Sequence, residues 1–250
     1  MTNTSVPVSQ SVAGEFRVGR IFDRTLAIYK RNFPAFSLVA LIASLPPLLL
    51  GAGAGDTAPM MAQSMVLGLV IMLVSVALAL LSQAILVHAA FQDMRSRPVD
   101  LMESVNVALA RLLPILGLAI LSALGIAVGL MLFVIPGLIL LTMWFVGVPV
   151  CMVEQLGPWQ SLMRSTQLTK GHRWKLFGAI LVVYVAAAII SQIITLVFTA
   201  LAGFFIGLLA ALAWNTVWGA FFATFVVVSY YELRSTKEGM DIEQIAAVFD

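Results

Sequence analysis

The sequence predicts an all-α integral membrane protein. Six transmembrane helices form three hairpins, and a cytoplasmic amphipathic helix precedes each hairpin. Three observations carry this reading. The first is composition: 61% of the 250 residues are hydrophobic and only 10% are charged, whereas ordinary globular domains are roughly 25% charged. Mean hydropathy is +1.04, so a soluble chain of this size would have no solvent-facing surface to offer. The second is that the apolar residues gather in three long blocks, each with a break near its middle. The third is that the charges avoid the interiors of these blocks.

The elements follow in chain order. Residues 1–15 are polar, lack Lys and Arg, and have no apolar core. They resemble neither a signal peptide nor a transit peptide and read as a disordered cytoplasmic tail. The blocks cover 33–92, 112–153 and 176–231. A span needs about 20 residues at a rise of about 1.5 Å across a core of about 30 Å, so each block has room for two and is too short for a comfortable third. The breaks are GAGAGDTAP at 51–59, with Asp56 in an external loop, then Ile135-Pro136-Gly137, and the region of Gly203 and Gly207. Proline suits a first helical turn because its missing N–H is not needed there. The expected spans are 33–52, 65–91, 113–134, 136–153, 176–200 and 206–231. The membrane domain is 16–233, and 234–250 is a second cytoplasmic tail.

The 14 Lys and Arg residues assign the sides. Five precede the first block, three lie between the first and second, four between the second and third, and two follow the third. The mid-block breaks carry none. If every block is a hairpin, all basic residues lie on one face, and the positive-inside rule makes that face cytoplasmic. An odd number of spans in any block would scatter them.

A stretch of helical period precedes each block. Val18, Ile21, Phe22, Thr25, Ile28 and Tyr29 share one face, and Arg17, Arg20, Arg24 and Arg31 another. The second stripe is Leu101, Val105, Ala108, Leu109 and Leu112, opposite Glu103, Asn106 and Ala110. The third is Trp159, Leu162, Met163 and Thr166, with Leu168 on the polar side. A helix with one apolar and one basic face lies in the interface of an anionic leaflet. Arg17, Arg20, Arg24, Arg31, Arg164, Lys170 and Arg173 are therefore the candidate headgroup contacts, with anionic membrane lipid as the partner. On this reading Arg164→Lys is mild, because snorkelling requires only charge and reach. Glu154 is expected beside Arg164, His172 or Arg173. When the sequence is laid over itself so that Asp23 meets Glu103, Arg31 meets Arg111 and Pro34 meets Pro114. This is a faint repeat of one short helix plus one hairpin.

Four segments resemble a known family: IFDRTLAIYKRNF (21–33), IPGLILLTMWFVGVPV (135–150), EQLGPWQSLMRSTQLTKGHRWKLF (154–177) and YYELRSTKEGMDIEQ (230–244). They are similar to the glycerophosphoryl diester phosphodiesterase membrane-domain family of bacterial and archaeal membrane proteins. The resemblance implies a six-span protein of a prokaryotic cytoplasmic membrane with both termini inside. In some members this membrane part is fused to a separate catalytic domain. Only a short tail follows Tyr231, and no such domain is expected in this chain. The family offers no catalytic residue to carry over.

The residues themselves point away from catalysis. No Walker A, Gly-x-Ser-x-Gly, His-Glu-x-x-His or GxGxxG pattern occurs, and no cofactor is expected. The single cysteine, Cys151, excludes an intramolecular disulfide or a multi-cysteine metal site. His88 with Asp93 and Glu154 lacks metal-ligand spacing. A net charge of +2 gives no reason to expect nucleic acid. No ionisable group falls inside a span, which argues against a proton-coupled pump. Gln83, Gln192, Thr195 and Asn215 are the polar interior residues that would bond between helices or touch a solute. Three functions remain open: a non-enzymatic protein that engages lipid or a partner at the inner leaflet, a carrier or channel for a neutral or amphiphilic solute, and a membrane accessory subunit of a cytoplasmic enzyme.

Overall fold

The computed structural model describes residues 16–52 and 61–238. The tail 1–15, the first break around Asp56 and the end of the second tail (239–250) lie outside the described residues. Every regular element among the described residues is a helix: α1 Val18–Arg31, α2 Phe33–Ala52, α3 Met61–Met94, α4 Leu101–Ala110, α5 Leu112–Leu132, α6 Val134–Met143, α7 Gly147–Val153, α8 Pro158–Thr169, α9 Arg173–Ala202 and α10 Phe204–Glu238. The order is one short helix and two long ones, three times, with α6 and α7 together as one of the long members. Five of the long apolar helices could cross a membrane, and a sixth if α1 and α2, bent by 89°, count as one span.

The long helices pair as antiparallel neighbours. Ser82 Oγ donates to the Val39 carbonyl at 3.4 Å between α3 and α2. In the second pair Gly129 and Gly137 face each other across the Phe133 turn, and a Cβ on Gly137 would clash with the Leu130 side chain. In the third, Thr199 crowds Gly207 across Gly203, whose φ of +85° suits glycine. Hairpins one and three form a four-helix bundle. Ser44 and Thr216 hydroxyls lie 3.3 Å apart between α2 and α10. Ser44 is in the second half of α2 and Thr216 in the first half of α10, so the end of α2 and the Gly203 turn lie toward the same end of the bundle.

The second turn does not join them. Ile135, Leu138, Ile139 and Thr142 of α6 line one cavity with Arg173, Trp174 and Phe177, which belong to the start of α9. The second turn therefore sits at the end of α9 opposite Gly203.

Span four also departs from expectation. The sequence predicts one helix over 136–153, and the structure breaks it at 144–146. Pro149 cannot donate to the Phe145 carbonyl, and its ring crowds that group. Gly147 N instead bonds to the Trp144 carbonyl at 3.0 Å, which leaves the Met143 carbonyl without its helical donor. Ser165 Oγ (2.8 Å) and Thr169 Oγ1 (3.4 Å) of α8 take its place.

That bond corrects the predicted face of α8. Its buried residues are Ser161, Leu162, Ser165, Leu168 and Thr169, while Trp159 and Met163 are exposed. The hydroxyls turn inward because a buried carbonyl needs a donor. In α4 the buried pair is Ser104 and Ala108, and Leu109 points out. Ser104 Oγ donates to the Asp100 carbonyl at 2.7 Å and stands 3.1 Å from His88 Nδ1. With its own hydrogen committed, Ser104 accepts from His88, which fixes the Nδ1–H tautomer. α1 buries Ile21, Thr25, Ile28 and Tyr29, the predicted face, but against α10. Phe22 meets Phe225 at 5.6 Å and Tyr29 meets Phe221 at 6.1 Å between ring centres.

Candidate functional site

At the end of the bundle opposite Gly203, five side chains close a ring that joins α7, α8 and α10. Arg164 Nε donates to Glu154 Oε2 at 2.8 Å, and its Nη2 donates to Glu238. Arg234 Nε donates to Glu238 Oε2 at 2.9 Å and its Nη1 to the Tyr230 hydroxyl at 2.8 Å. Tyr230 in turn donates to Glu154 Oε1 at 3.0 Å. Burial opposes the Arg164 charge, yet Glu238 and Glu154 outweigh it and raise its pKa. Two arginines and two glutamates leave the ring neutral, and it holds α8 in place.

The ring divides the seven candidate headgroup residues. Arg164 belongs to it. Arg31 holds Asp93 through Nε at 2.8 Å, where Asn32 Nδ2 also donates at 2.9 Å. Arg20 Nη1 stands 2.9 Å from Glu232 Oε1, at an angle too poor for an aligned hydrogen bond. Arg24 lies 5.2 Å from the centre of the Tyr231 ring. Arg17 is exposed at the head of α1. The charge pattern of the sequence assigns Arg20, Arg24, Arg31 and Arg164 to headgroups, and in the structure protein groups hold all four.

Lys170 and Arg173 differ. With Lys175 and Lys237 they make a positive patch in which none has a carboxylate partner among the described residues. Lys237 reaches the Gln167 carbonyl, and Lys170, Arg173 and Arg164 are the cations it senses. Arg173 Nη2 donates weakly to the Thr166 carbonyl at 3.4 Å. Its Nε is buried without a partner. Burial, then Lys237 and Lys175, hold the His172 pKa below its usual value, so the ring is neutral near pH 7.

Through Arg173 the patch adjoins the cavity between α6 and α9. This cavity of about 430 Å³ is lined by Ile135, Leu138, Ile139, Thr142, Trp174 and Phe177, with Arg173 as its one charge. An apolar groove with a cationic mouth suits an anionic amphiphile: the guanidinium meets the headgroup, and the walls take the chain. Lys237 lies beyond residue 233, where the apolar pattern places the end of the membrane domain. The spacing of Arg234, Lys237 and Glu238 signals a helix that continues past the apolar block.

A second cavity, of about 250 Å³, lies between α2, α3 and α10, with Ser44, Ser82, Gln83 and Asn215 as its polar lining. It brings together two of the four polar candidates. Asn215 Nδ2 donates to the Ala211 carbonyl at 2.9 Å. Gln192 is exposed on α9 and Thr195 half-buried beside it, and neither lines this cavity.

His88, Asp93 and Glu154 do not converge: they engage Ser104, Arg31 and Arg164 respectively. Among the described residues no group of three or more His, Cys, Asp or Glu side chains is placed to hold a metal ion.

No curated protein and no solved structure matches the chain. Residues 121–233, a little under half of the chain, are similar to a family described as Domain of unknown function (DUF7847). The matched segment runs from within α5 to α10 and contains α8, the α6–α9 groove and most of the ring.

Proposed function

We propose that the protein is a non-enzymatic multi-pass protein of a prokaryotic cytoplasmic membrane that holds anionic lipid at the cytoplasmic leaflet. Both termini lie on the cytoplasmic side, as the charge distribution requires. The resemblance to the glycerophosphoryl diester phosphodiesterase membrane-domain family belongs to the same reading. One observation carries it: Lys170, Arg173, Lys175 and Lys237 have no carboxylate partner among the described residues, and one of them, Arg173, lines an apolar groove. Arg20, Arg24, Arg31 and Arg164 are engaged by protein groups, so this patch is where headgroup charge is wanted.

Each cation near an anionic surface contributes about 1 kcal/mol, screened by salt. The purified protein should melt at a higher temperature with phosphatidylglycerol than with phosphatidylcholine. A lipid at about 100 times its Kd stabilises by about 2.7 kcal/mol. The combined variant Lys170→Gln, Arg173→Gln, Lys175→Gln and Lys237→Gln should lose that preference. Equal shifts from both lipids, or a preference unchanged in the variant, would refute the reading.

A second reading is a carrier or channel for a neutral or amphiphilic solute. The observation that favours it is the cavity with Ser44, Ser82, Gln83 and Asn215, which lies between helices of the four-helix bundle and offers hydrogen-bonding groups without charge.

A further inference from the structure

We infer that the second hairpin, α5 with α6, does not cross the bilayer. It enters from the cytoplasmic leaflet and beds its turn in the acyl layer of that leaflet. This placement rests on the function proposed above only in taking the start of α9 as cytoplasmic.

Height decides it. Phe177 shares a cavity with Ile135, and α9 continues from Phe177 to Ala202 without a break. At a rise of about 1.5 Å per residue, that stretch is about 37 Å long. A tilt of about 20° still leaves roughly 35 Å along the membrane normal, more than the hydrocarbon core of about 30 Å. If the Gly203 turn reaches the far face, Phe177 lies at the near boundary, and Ile135 lies beside it. The second turn therefore cannot stand level with the third unless α9 leaves the membrane.

The turn is also unfit for water at that boundary. Met131, Leu132, Phe133, Val134 and Ile135 are 63–87% exposed, a contiguous apolar tip that requires an apolar surround. The occupant it fits is lipid rather than a second protein. Ile135 of the tip also lines the α6–α9 groove, and so does Arg173 of the positive patch. A lipid layer with anionic heads matches all three at one height. Such a hairpin adds area to one leaflet only, so its job would be to wedge or sense lipid packing there.

Charge distribution is equally consistent with this arrangement. Residues 112–153 carry no charge. A hairpin that returns to its own side removes two crossings and leaves every basic residue where it was.

Thiol cross-linking in native membranes tests the placement. Cys151 is wholly buried and stays in place. A flexible bis-maleimide should join Ile135→Cys to Phe177→Cys within one chain and fail to join Ile135→Cys to Thr199→Cys. A cross-link to position 199, or to neither, would overturn the inference. The result does not depend on lipid identity: loss of the anionic-lipid preference with the 135–177 cross-link intact would sink the lipid reading alone.

Discussion

Glu154→Ala is expected to lower the thermal midpoint in detergent by the equivalent of about 2–4 kcal/mol. Breaking a buried ion pair by removing one partner costs about 3–5 kcal/mol, and solvent screening at these partly exposed groups reduces it. The variant leaves Arg164 and Arg234 facing Glu238 alone and takes the acceptor from the Tyr230 hydroxyl. Arg164→Lys should also be harmful, contrary to the expectation from sequence. Arg164 uses Nε and Nη2 on two different carboxylates, and a lysine ammonium is a single point that cannot reproduce the fork. An unchanged midpoint for both variants would show that the ring does not hold α8.

The second large effect is expected from Leu162→Asp, which should abolish yield of folded protein. Leu162 is 1% exposed, and it closes with Leu118 over Gly147. A carboxylate buried there carries a penalty of several kcal/mol. Leu162→Met keeps volume and polarity and should cost less than about 1.5 kcal/mol. Size-exclusion profiles of the two variants decide it: a normal peak for the aspartate would mean that α8 is not docked through this residue.

Much of the fold could be read from the chain because a bilayer leaves few options. Apolar length sets helix length, and excluded charge marks the ends of helices. The face of α1 followed from period because Ile21, Ile28 and Tyr29 are both apolar and buried. For α8 the same logic failed. Ser165 and Thr169 face inward for the Met143 carbonyl, and that carbonyl is free because Gly147 N bonds to the Trp144 carbonyl instead. A hydroxyl's direction depends on a partner distant in sequence. The height of the second turn was hidden for a different reason: charge counting cannot distinguish a hairpin that crosses from one that turns back. The site was half visible. Lys170 and Arg173 stood in the sequence among other cations, but nothing marked those whose charge a carboxylate would cancel. The groove exists because α6 lies beside α9, a neighbourhood with no periodic signature.

The central claim is that an anionic lipid occupies the patch of Lys170, Arg173, Lys175 and Lys237. Native mass spectrometry of the protein taken directly from its membrane tests it most directly. The account predicts a population carrying one anionic phospholipid, enriched over its share of the surrounding membrane and absent from the variant with four glutamines. A bare protein, a retained lipid in membrane proportions, or a bound mass that persists in the variant would contradict it.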